Sequence, residues 1–269
     1  MDERWKSWIK ENRERGCNPD ELRQILIANQ FSIADIDVEL GAMVQQPVAS
    51  TKIPVDYAAL ATIRITRYAK PLETDRVQLY VLEDFMSEAE CDELIAISRE
   101  ALVPSTITTQ ETEPDKYFRT SSTCYISRAE SPLIAMIDLR IADTIGIHPA
   151  YSEEIQVQRY EVGQEFKAHH DFFTPNTKDW DKYCSVLGNR TWTFMVYLNE
   201  TAKGGGTEFT ELGKTFLPKR GMALVWNNLH ADGTTNPNTK HWGLPVEEGF
   251  KVIITKWFRE HANRAIPLS

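Results

Sequence analysis

The 269-residue sequence is poor in cysteine and contains no long apolar run. Its four cysteines, Cys17, Cys91, Cys124 and Cys184, lie far apart and form no CxxC pair, which argues against a zinc knuckle and against a disulfide-stapled scaffold. Reduced thiols in a cytoplasmic protein are the plainer interpretation. No stretch is long and apolar enough to span a bilayer, and the first residues, MDERWKSWIK, lack the apolar core of a signal peptide. We therefore expect no membrane association.

The chain also lacks an excess of basic residues, and it has no internal repeat or low-complexity tract. With 30 Lys and Arg against 39 Asp and Glu, its formal net charge is -9, which argues against a nucleic-acid binder held by phosphate neutralisation. Hydrophobic residues make up 42% and charged residues 26%, which is the balance of a globular protein. The length allows one core of ordinary size and a small accessory unit. None of these features predicts an oligomeric state.

Residues 1–43 predict a small unit of three short helices. Asn18 before Pro19 is typical of the start of the second helix, and Ser32 before Asp35 of the start of the third, because they supply capping side chains. Each helix has an apolar face, made of Trp5, Trp8 and Ile9, then of Leu22, Ile25 and Leu26, and then of Phe31 and Ile36. The unit resembles a ubiquitin-associated-type bundle, and a helical cap packed on the main domain is an equal alternative.

The rest of the chain divides into a linker and entry segment at 44–75, a main domain at 76–262 and a tail at 263–269. In the main domain the pattern predicts one helix over 88–101, after a capping box of Ser87 and Glu90, and another from Ser131 and Pro132 to about Gly146. Strands are predicted at 154–160, 166–172, 191–198, 221–226 and 251–258. Helices first and strands after indicate an α+β fold, with helices packed outside a curved antiparallel sheet.

The segment GQEFKAHHDFF carries a candidate metal site. On the predicted strand His169 and Asp171 are two residues apart, so both side chains leave the same face, whereas His170 points the opposite way. One more histidine from a distant strand would complete a 2-His-1-carboxylate facial triad, which leaves three of the six positions of iron(II) open. An HxD triplet alone is weak support, because most such triplets in proteins bind no metal.

The residues around the other histidines select the third ligand. A second HxD, His230 with Asp232, lies in a polar loop where no strand alternation fixes a common face, so we interpret it as loop hydrogen bonding. His241 instead comes just before a turn and a strand that begins with Lys251. A keto acid that chelates iron at one end needs a cation for its distal carboxylate, and lysine supplies one. Alternation places Lys251 and Trp257 on one face of this strand.

Six motifs in order make the main domain resemble the prolyl 4-hydroxylase family of 2-oxoglutarate oxygenases. They cover residues 76–260 and read EDFMSEAECDELI, RTSSTCYI, EIQVQRYEVGQEFKAHHDFF, NRTWTFMVYLNE, GGGTEF and HWGLPVEEGFKVIITKWFRE. The resemblance implies a double-stranded β-helix (jelly-roll) core flanked by helices. It also implies hydroxylation of prolyl residues at the 4-position in a protein or peptide. The implied cofactors are iron(II), 2-oxoglutarate and dioxygen, with ascorbate as the reductant.

The same resemblance implies a role for eight residues. The implied metal ligands are His169, Asp171 and His241. The residues implied for the distal carboxylate of 2-oxoglutarate are Lys251, Tyr160 and Thr207, of which the last two offer hydroxyl donors. The residues implied for the substrate are Arg190 and Trp257, for which a surface ion pair and core packing, respectively, are the alternatives.

Two departures from the family pattern narrow these expectations. Phe166 stands where many relatives have tyrosine, so one active-site hydroxyl is missing. The peptide-binding module of collagen-modifying relatives is also absent, which makes collagen a poor substrate candidate. Three alternatives remain open: the same chemistry on a free amino acid, a non-proline residue or a natural product; a non-catalytic protein-binding module; and a zinc site, since zinc outranks iron(II) in affinity for such ligands.

Overall fold

The computed structural model describes residues 5–6, 9–10, 22–23, 26, 31–40, 55–61, 65, 69–105 and 118–263. The chain divides into two compact units, Met1–Pro54 and Val55–Ser269. Most of the predicted linker and nearly all of the predicted tail lie outside the described residues, so the predicted domain boundaries stay predictions. Among the described residues no helix is long and apolar enough to cross a membrane.

The described residues of the first unit are mostly helical. Its helix α1 (Ile33–Leu40) begins after Ser32, whose hydroxyl oxygen accepts a hydrogen bond from the backbone N–H of Asp35 at 3.1 Å. The predicted cap is therefore confirmed. One residue from each predicted helix is buried in a shared core, namely Ile9, Leu26 and Ile36. Such a core stabilises helices that are too short to be stable alone. The other predicted helix start, at Asn18, lies outside the described residues.

The helices of the second unit are α2 (Tyr57–Ala61), α3 (Glu88–Ser98), α4 (Pro132–Ile145) and α5 (Lys178–Tyr183). The capping box predicted for α3 is confirmed, since Ser87 and Glu90 each accept from the other's backbone N–H at 3.3 and 2.9 Å. This helix ends before its predicted end because residues 99–101 form a turn. Helix α4 starts after Ser131 and ends as predicted at Gly146, whose φ of 75° is the left-handed conformation that glycine adopts without strain.

The strands described in the second unit form one large and one small antiparallel sheet and a separate pair. They are β1 (Lys70–Pro71), β2 (Leu79–Leu82), β3 (Val103–Pro104), β4 (Ser122–Ile126), β5 (Ile155–Tyr160), β6 (Phe166–His169), β7 (Arg190–Tyr197), β8 (Lys203–Gly204), β9 (Thr207–Phe209), β10 (Lys214–Phe216), β11 (Ala223–Asn227), β12 (His241–Gly243), β13 (Val246–Glu248) and β14 (Lys251–Arg259). The large sheet has the order β1-β2-β11-β7-β14-β5-β4-β3 and the small one the order β10-β9-β12-β6, while β8 pairs with β13.

Two hydrophobic clusters show how the layers are stacked. In one cluster Phe209 of the small sheet packs with Met195, Leu224 and Ile253 of the large sheet, so these two sheets face each other. In the other, apolar residues of α3 and α4 pack on the opposite face of the large sheet. Two facing antiparallel sheets with helices outside the larger one are the double-stranded β-helix arrangement that the family resemblance implies.

Successive side chains of strand β14 point alternately to the two sides of the large sheet. The residues on one of its faces line a pocket between the sheets, namely Lys251, Ile253, Thr255 and Trp257. The residues on its other face belong to the cluster beneath the helices, namely Val252, Ile254 and Phe258. The predicted inward direction of Lys251 and Trp257 is therefore confirmed.

The predicted strands agree with the structure to within two residues at β5, β7, β11 and β14, but the prediction for 166–172 is wrong at its end. Strand β6 stops at His169, and the chain bends at residues 171–172, so Asp171 is not on a strand. Strands β1 to β4, β8 to β10, β12 and β13 are not predicted at all. They are two to five residues long, which is too short for a clear alternation of apolar and polar residues.

Candidate active site

Two strands of the small sheet bring the predicted metal ligands together. Where β12 pairs with β6, His241 lies directly opposite His169, and their ring centres are 4.3 Å apart. Asp171 follows just beyond β6, with its Oδ1 atom 3.7 Å from His169 Nε2 and 3.9 Å from His241 Nε2. The three ligand atoms lie within 4.8 Å of one another. Within the described part of the chain, no other group of His, Cys, Asp and Glu residues is spaced to hold a metal ion.

Backbone carbonyls determine which ring nitrogen each histidine presents. The Nδ1 atom of His169 lies 2.8 Å from the carbonyl oxygen of Lys167. In the same way, the Nδ1 atom of His241 lies 2.9 Å from the carbonyl oxygen of Thr239. Each carbonyl can accept only from a protonated Nδ1, so the lone pair of each ring is on the Nε2 atom that faces Asp171. These outer hydrogen bonds hold the rings in an orientation suited to a metal ion.

The competing histidines make other contacts. The Nε2 atom of His170 lies 3.2 Å from the carbonyl oxygen of Pro237, so its ring does not join the three ligands. In the loop with His230, the Asp232 carboxylate accepts from the backbone N–H and the hydroxyl of Thr234 at 2.9 and 2.6 Å. Asp232 of the second HxD triplet is thus engaged in loop hydrogen bonding, as predicted.

Burial and neighbouring charges set the protonation of the ligands. Burial, and then the proximity of His241, hold the pKa of His169 well below its ordinary value, so this imidazole is neutral near pH 7. Burial alone would raise the pKa of Asp171. The two histidines, the Arg190 guanidinium and a hydrogen bond from Thr193 outweigh it and hold the pKa below its ordinary value. The site therefore offers a carboxylate oxygen and imidazole nitrogens, which are the ligands of a facial triad.

Lys251 is a buried cation in the same pocket. It is 1% exposed, and burial lowers its pKa to about 7. Its Nζ atom lies 4.2 Å from the ring centre of Tyr160, the residue opposite it on β5. The Lys251 side chain passes Gly205 and Gly243, where a Cβ would lie 3.5 Å from Cδ and 3.7 Å from Nζ, respectively. Among the described residues no carboxylate pairs with Lys251, so the pocket is suited to an anion from outside the chain.

The hydroxyls of Tyr160 and Thr207 differ in how free each is to donate a hydrogen bond to a bound carboxylate. Tyr160 donates to the Gln158 side chain at 2.7 Å, and Gln158 donates to Thr255 at 3.0 Å. The Thr207 oxygen accepts from the Tyr197 hydroxyl at 2.6 Å, which leaves the Thr207 hydrogen free for a stronger acceptor than the Met195 sulfur 3.9 Å away. Thr207 is thus the better placed of the two to donate to a carboxylate beside Lys251.

The two residues expected near the substrate are stacked on each other. The Arg190 guanidinium lies 3.8 Å from the ring centre of Trp257 and binds both oxygens of Glu153 at 2.7 and 2.8 Å. Trp257 lines the pocket, whereas Arg190 lies behind its ring. The indole N–H of Trp257 is buried and has no hydrogen-bond partner among the described residues. Trp257 lines the same pocket as Lys251 and the predicted metal ligands.

The chain is similar in sequence to known oxygenases. The sequence model of the 2OG-Fe(II) oxygenase superfamily matches residues 155–259. Prolyl 4-hydroxylase subunit alpha-1 of Homo sapiens is 32% identical over 193 residues, which cover 71% of this chain and 36% of that protein. The chain thus spans about a third of the length of that relative. Probable prolyl 4-hydroxylase 3 of Arabidopsis thaliana is 33% identical over 201 residues, which cover 66% of this chain and 68% of that protein.

The chain belongs to the prolyl 4-hydroxylase family. A crystal structure from this family, a viral collagen prolyl hydroxylase of Paramecium bursaria Chlorella virus 1 in complex with 2OG, superposes with a TM-score of 0.54 at 26% identity. The match covers 67% of this chain and 95% of the viral one. The fold that the sequence predicts is therefore confirmed.

One departure from the family pattern has a clear structural counterpart. The Phe166 ring stacks on the ring of the metal ligand His169, with centres 3.5 Å apart, and the Arg119 guanidinium lies 4.7 Å from the Phe166 ring centre. A tyrosine here would carry a hydroxyl into this corner of the site. In this chain Phe166 brings no hydroxyl to the corner, and its ring holds the His169 ring by stacking.

The structure adds residues that the sequence interpretation missed. They are Glu153, Gln158, Thr193 and Tyr197, together with Asn228, whose amide donates to the Thr193 hydroxyl at 2.9 Å. A signal was available for Gln158, which is two residues before Tyr160 and so shares its face on β5. A polar residue inside an apolar strand is also a signal, and Thr193 on β7 is one, because buried polar groups need partners. The partners themselves lie far away in sequence and cannot be read from it.

Proposed function

We propose that this chain is an iron(II)- and 2-oxoglutarate-dependent dioxygenase that hydroxylates prolyl residues at the 4-position in a protein or peptide, releasing succinate and carbon dioxide. One observation carries the proposal: a facial triad and a buried, unpaired lysine share one pocket. A metal site alone suits many reactions, and a buried cation alone suits many anions. Together they suit a keto acid that chelates metal at one end and carries a carboxylate at the other.

Each part of the pocket has a role in this proposal. Bound iron(II) and 2-oxoglutarate would supply the activation of dioxygen and the hydroxylation of a carbon atom. His169, Asp171 and His241 would hold the metal. Lys251 would pair with the distal carboxylate, and the Thr207 hydroxyl would donate to it. The apolar wall that includes Ile253 and Met195 would exclude water from the reacting atoms.

We propose a prolyl substrate because the relatives of this chain are named for prolyl hydroxylation. The sequence alone makes collagen a poor candidate. The viral relative is named as a collagen prolyl hydroxylase, however, and its match covers 95% of that chain, so collagen-type peptides belong among the test substrates. Of the two residues expected at the substrate, Trp257 would contact it from the pocket wall, and Arg190 would act by holding the Trp257 ring in place.

We propose ascorbate as the reductant and the cytoplasm as the location. The location is supported by Cys91, Cys124 and Cys184, which are buried and unpaired. Burial raises the pKa of each of these thiols to about 11, which makes them unreactive.

The test is incubation of the protein with iron(II), 2-oxoglutarate, ascorbate and a broad library of proline-containing peptides, followed by mass spectrometry. We expect peptides that gain one oxygen atom, with succinate formed in equal amount. Succinate formation triggered by small molecules and not by peptides would favour a free amino acid or natural product as substrate. No succinate under any condition would favour a non-catalytic module. Because zinc binds such ligands tightly, turnover with added iron(II) is a better criterion than metal content.

A further inference from the structure

The second oxygen of the Asp171 carboxylate is held by its own chain of hydrogen bonds. Its Oδ1 atom faces the two histidines, whereas Oδ2 accepts from the Thr193 hydroxyl at 2.7 Å. The Thr193 oxygen accepts from Asn228 Nδ2 at 2.9 Å, and Asn228 Oδ1 accepts from the indole N–H of Trp226 at 3.0 Å. Thr193 and Asn228 are fully buried and Trp226 is 1% exposed, so water does not compete for these groups.

This chain of hydrogen bonds has only one possible direction. The indole of Trp226 can only donate, so Asn228 accepts with its carbonyl oxygen and donates with its amide nitrogen. Thr193 receives that donation, and its single hydroxyl hydrogen is left for Asp171. Trp226 on β11 lies opposite Thr193 on β7, so the pairing of two central strands fixes the spacing. The Thr193 hydroxyl therefore donates to Asp171 Oδ2 and to no other group.

We infer that Thr193, Asn228 and Trp226 are positioning residues that keep Asp171 a one-oxygen ligand of the metal, an inference that rests on the proposed function. A carboxylate can bind a cation through one oxygen or through both. In a facial triad a second oxygen would occupy one of the three open positions. A keto acid and dioxygen need all three. Turning Oδ2 towards the metal would leave the buried Thr193 hydroxyl without an acceptor, which opposes the turn.

Trp226 extends the same support to a second ligand. Its ring meets the His241 ring edge-on, with centres 4.9 Å apart, and it lines the pocket. Through Asn228 and Thr193 it also restrains Asp171. The ligands lie on or beside the small sheet, whereas this support lies on β7 and at β11 of the large sheet. The metal site is thus held from both sheets.

Thr193→Val and Thr193→Ser are a matched pair of variants, because valine keeps the shape without the hydroxyl and serine keeps the hydroxyl. Titration with Co(II) reports metal affinity, and the visible absorption of the bound ion reports its number of ligands. We expect Thr193→Val to bind Co(II) at least as tightly as the unaltered protein, with a changed spectrum, and to bind 2-oxoglutarate about tenfold more weakly or worse. Thr193→Ser should restore the spectrum and the 2-oxoglutarate affinity. Asn228→Leu should change the spectrum in the same direction as Thr193→Val.

Two results would overturn the inference. One is an unchanged Co(II) spectrum and 2-oxoglutarate affinity in Thr193→Val. The other is loss of Co(II) binding and a lower unfolding midpoint in both Thr193 variants, since these residues would then only be part of the core. Failure of the proposed function would look different. The unaltered protein would bind Co(II) and 2-oxoglutarate and hydroxylate no substrate, while the expected spectral difference between the Thr193 variants would still be seen.

Discussion

The Lys251 side chain determines the pH range over which we expect the pocket to bind 2-oxoglutarate tightly. Because burial lowers its pKa to about 7, roughly half of the molecules hold it neutral at that pH. A carboxylate that pairs with Lys251 favours the charged form, so binding above the pKa requires the uptake of a proton. We expect the affinity for 2-oxoglutarate to be constant below about pH 7 and to fall about tenfold for each pH unit above it.

Calorimetric titration of 2-oxoglutarate into the Mn(II)-loaded protein measures this dependence. Buffers with different ionisation enthalpies give the number of protons taken up, which should approach one above pH 7. Lys251→Met is the control, and it should bind weakly and without proton uptake. The lowered pKa of Lys251 also makes the stability of the fold depend on pH. Between about pH 7 and pH 10.5 Lys251 is protonated in the unfolded chain and neutral in the folded one, so the free energy of unfolding rises with pH. If the affinity for 2-oxoglutarate did not change above pH 7, the assignment of Lys251 as the partner of its distal carboxylate would be contradicted.

The adjacent His169 and His170 provide another residue-scale prediction. His169→Ala and Asp171→Ala each remove a metal ligand, so we expect 2-oxoglutarate turnover to fall to background. His170→Ala removes only a contact with the Pro237 carbonyl and stacking on Phe172, so activity should stay within about twofold. Succinate formation with a stimulating peptide measures all three. Loss of activity in His170→Ala, with activity kept in His169→Ala, would show that the wrong histidine has been assigned.

At the scale of elements, strand length decides how much the sequence can predict. β14 is long, and its alternation predicts the inward direction of Lys251 and Trp257 correctly. β12 has three residues and no readable alternation, so the pairing that places His241 opposite His169 could not be predicted. The motif order predicts the ligands nonetheless. The support behind Asp171 could not be predicted, because Thr193 is 22 residues from Asp171 and Asn228 is 35 from Thr193, and only the fold brings them together.

The outer face of β14 carries a buried ion pair that the sequence also does not predict. Lys256 and Asp138 of α4 are hydrogen-bonded and only 2% and 3% exposed, and Lys256 also donates to the Glu153 carbonyl at 2.8 Å. Removing one member of a buried pair costs roughly 3 to 5 kcal/mol, because the other charge is left uncompensated. Arg128, 3.1 Å from the second Asp138 oxygen, remains, so we expect Lys256→Met to lower the free energy of unfolding by roughly 3 kcal/mol.

Urea unfolding measures this effect, and the matched control is the double variant Lys256→Met with Asp138→Leu. Replacing both charges by apolar side chains of similar size can be neutral, so the double variant should regain most of the lost stability. A double variant as unstable as Lys256→Met would show that the contacts of the lysine, and not its charge, hold α4 on the sheet.

At the scale of the whole second unit, residues from both sheets build the site. The metal ligands come from the small sheet and its neighbouring bend. Lys251 and the support behind Asp171 come from the large sheet and from Asn228 just after β11.

A metal bound between the sheets binds only the folded state, and a ligand at one hundred times its dissociation constant then stabilises that state by about 2.7 kcal/mol. For a unit of this size that is a rise in melting temperature of roughly 5 to 10 °C. Thermal unfolding with a chelator and with saturating Mn(II) should show this difference. His170→Ala should keep it and Asp171→Ala should lose it. An equal rise in Asp171→Ala would mean that Mn(II) acts elsewhere on the protein.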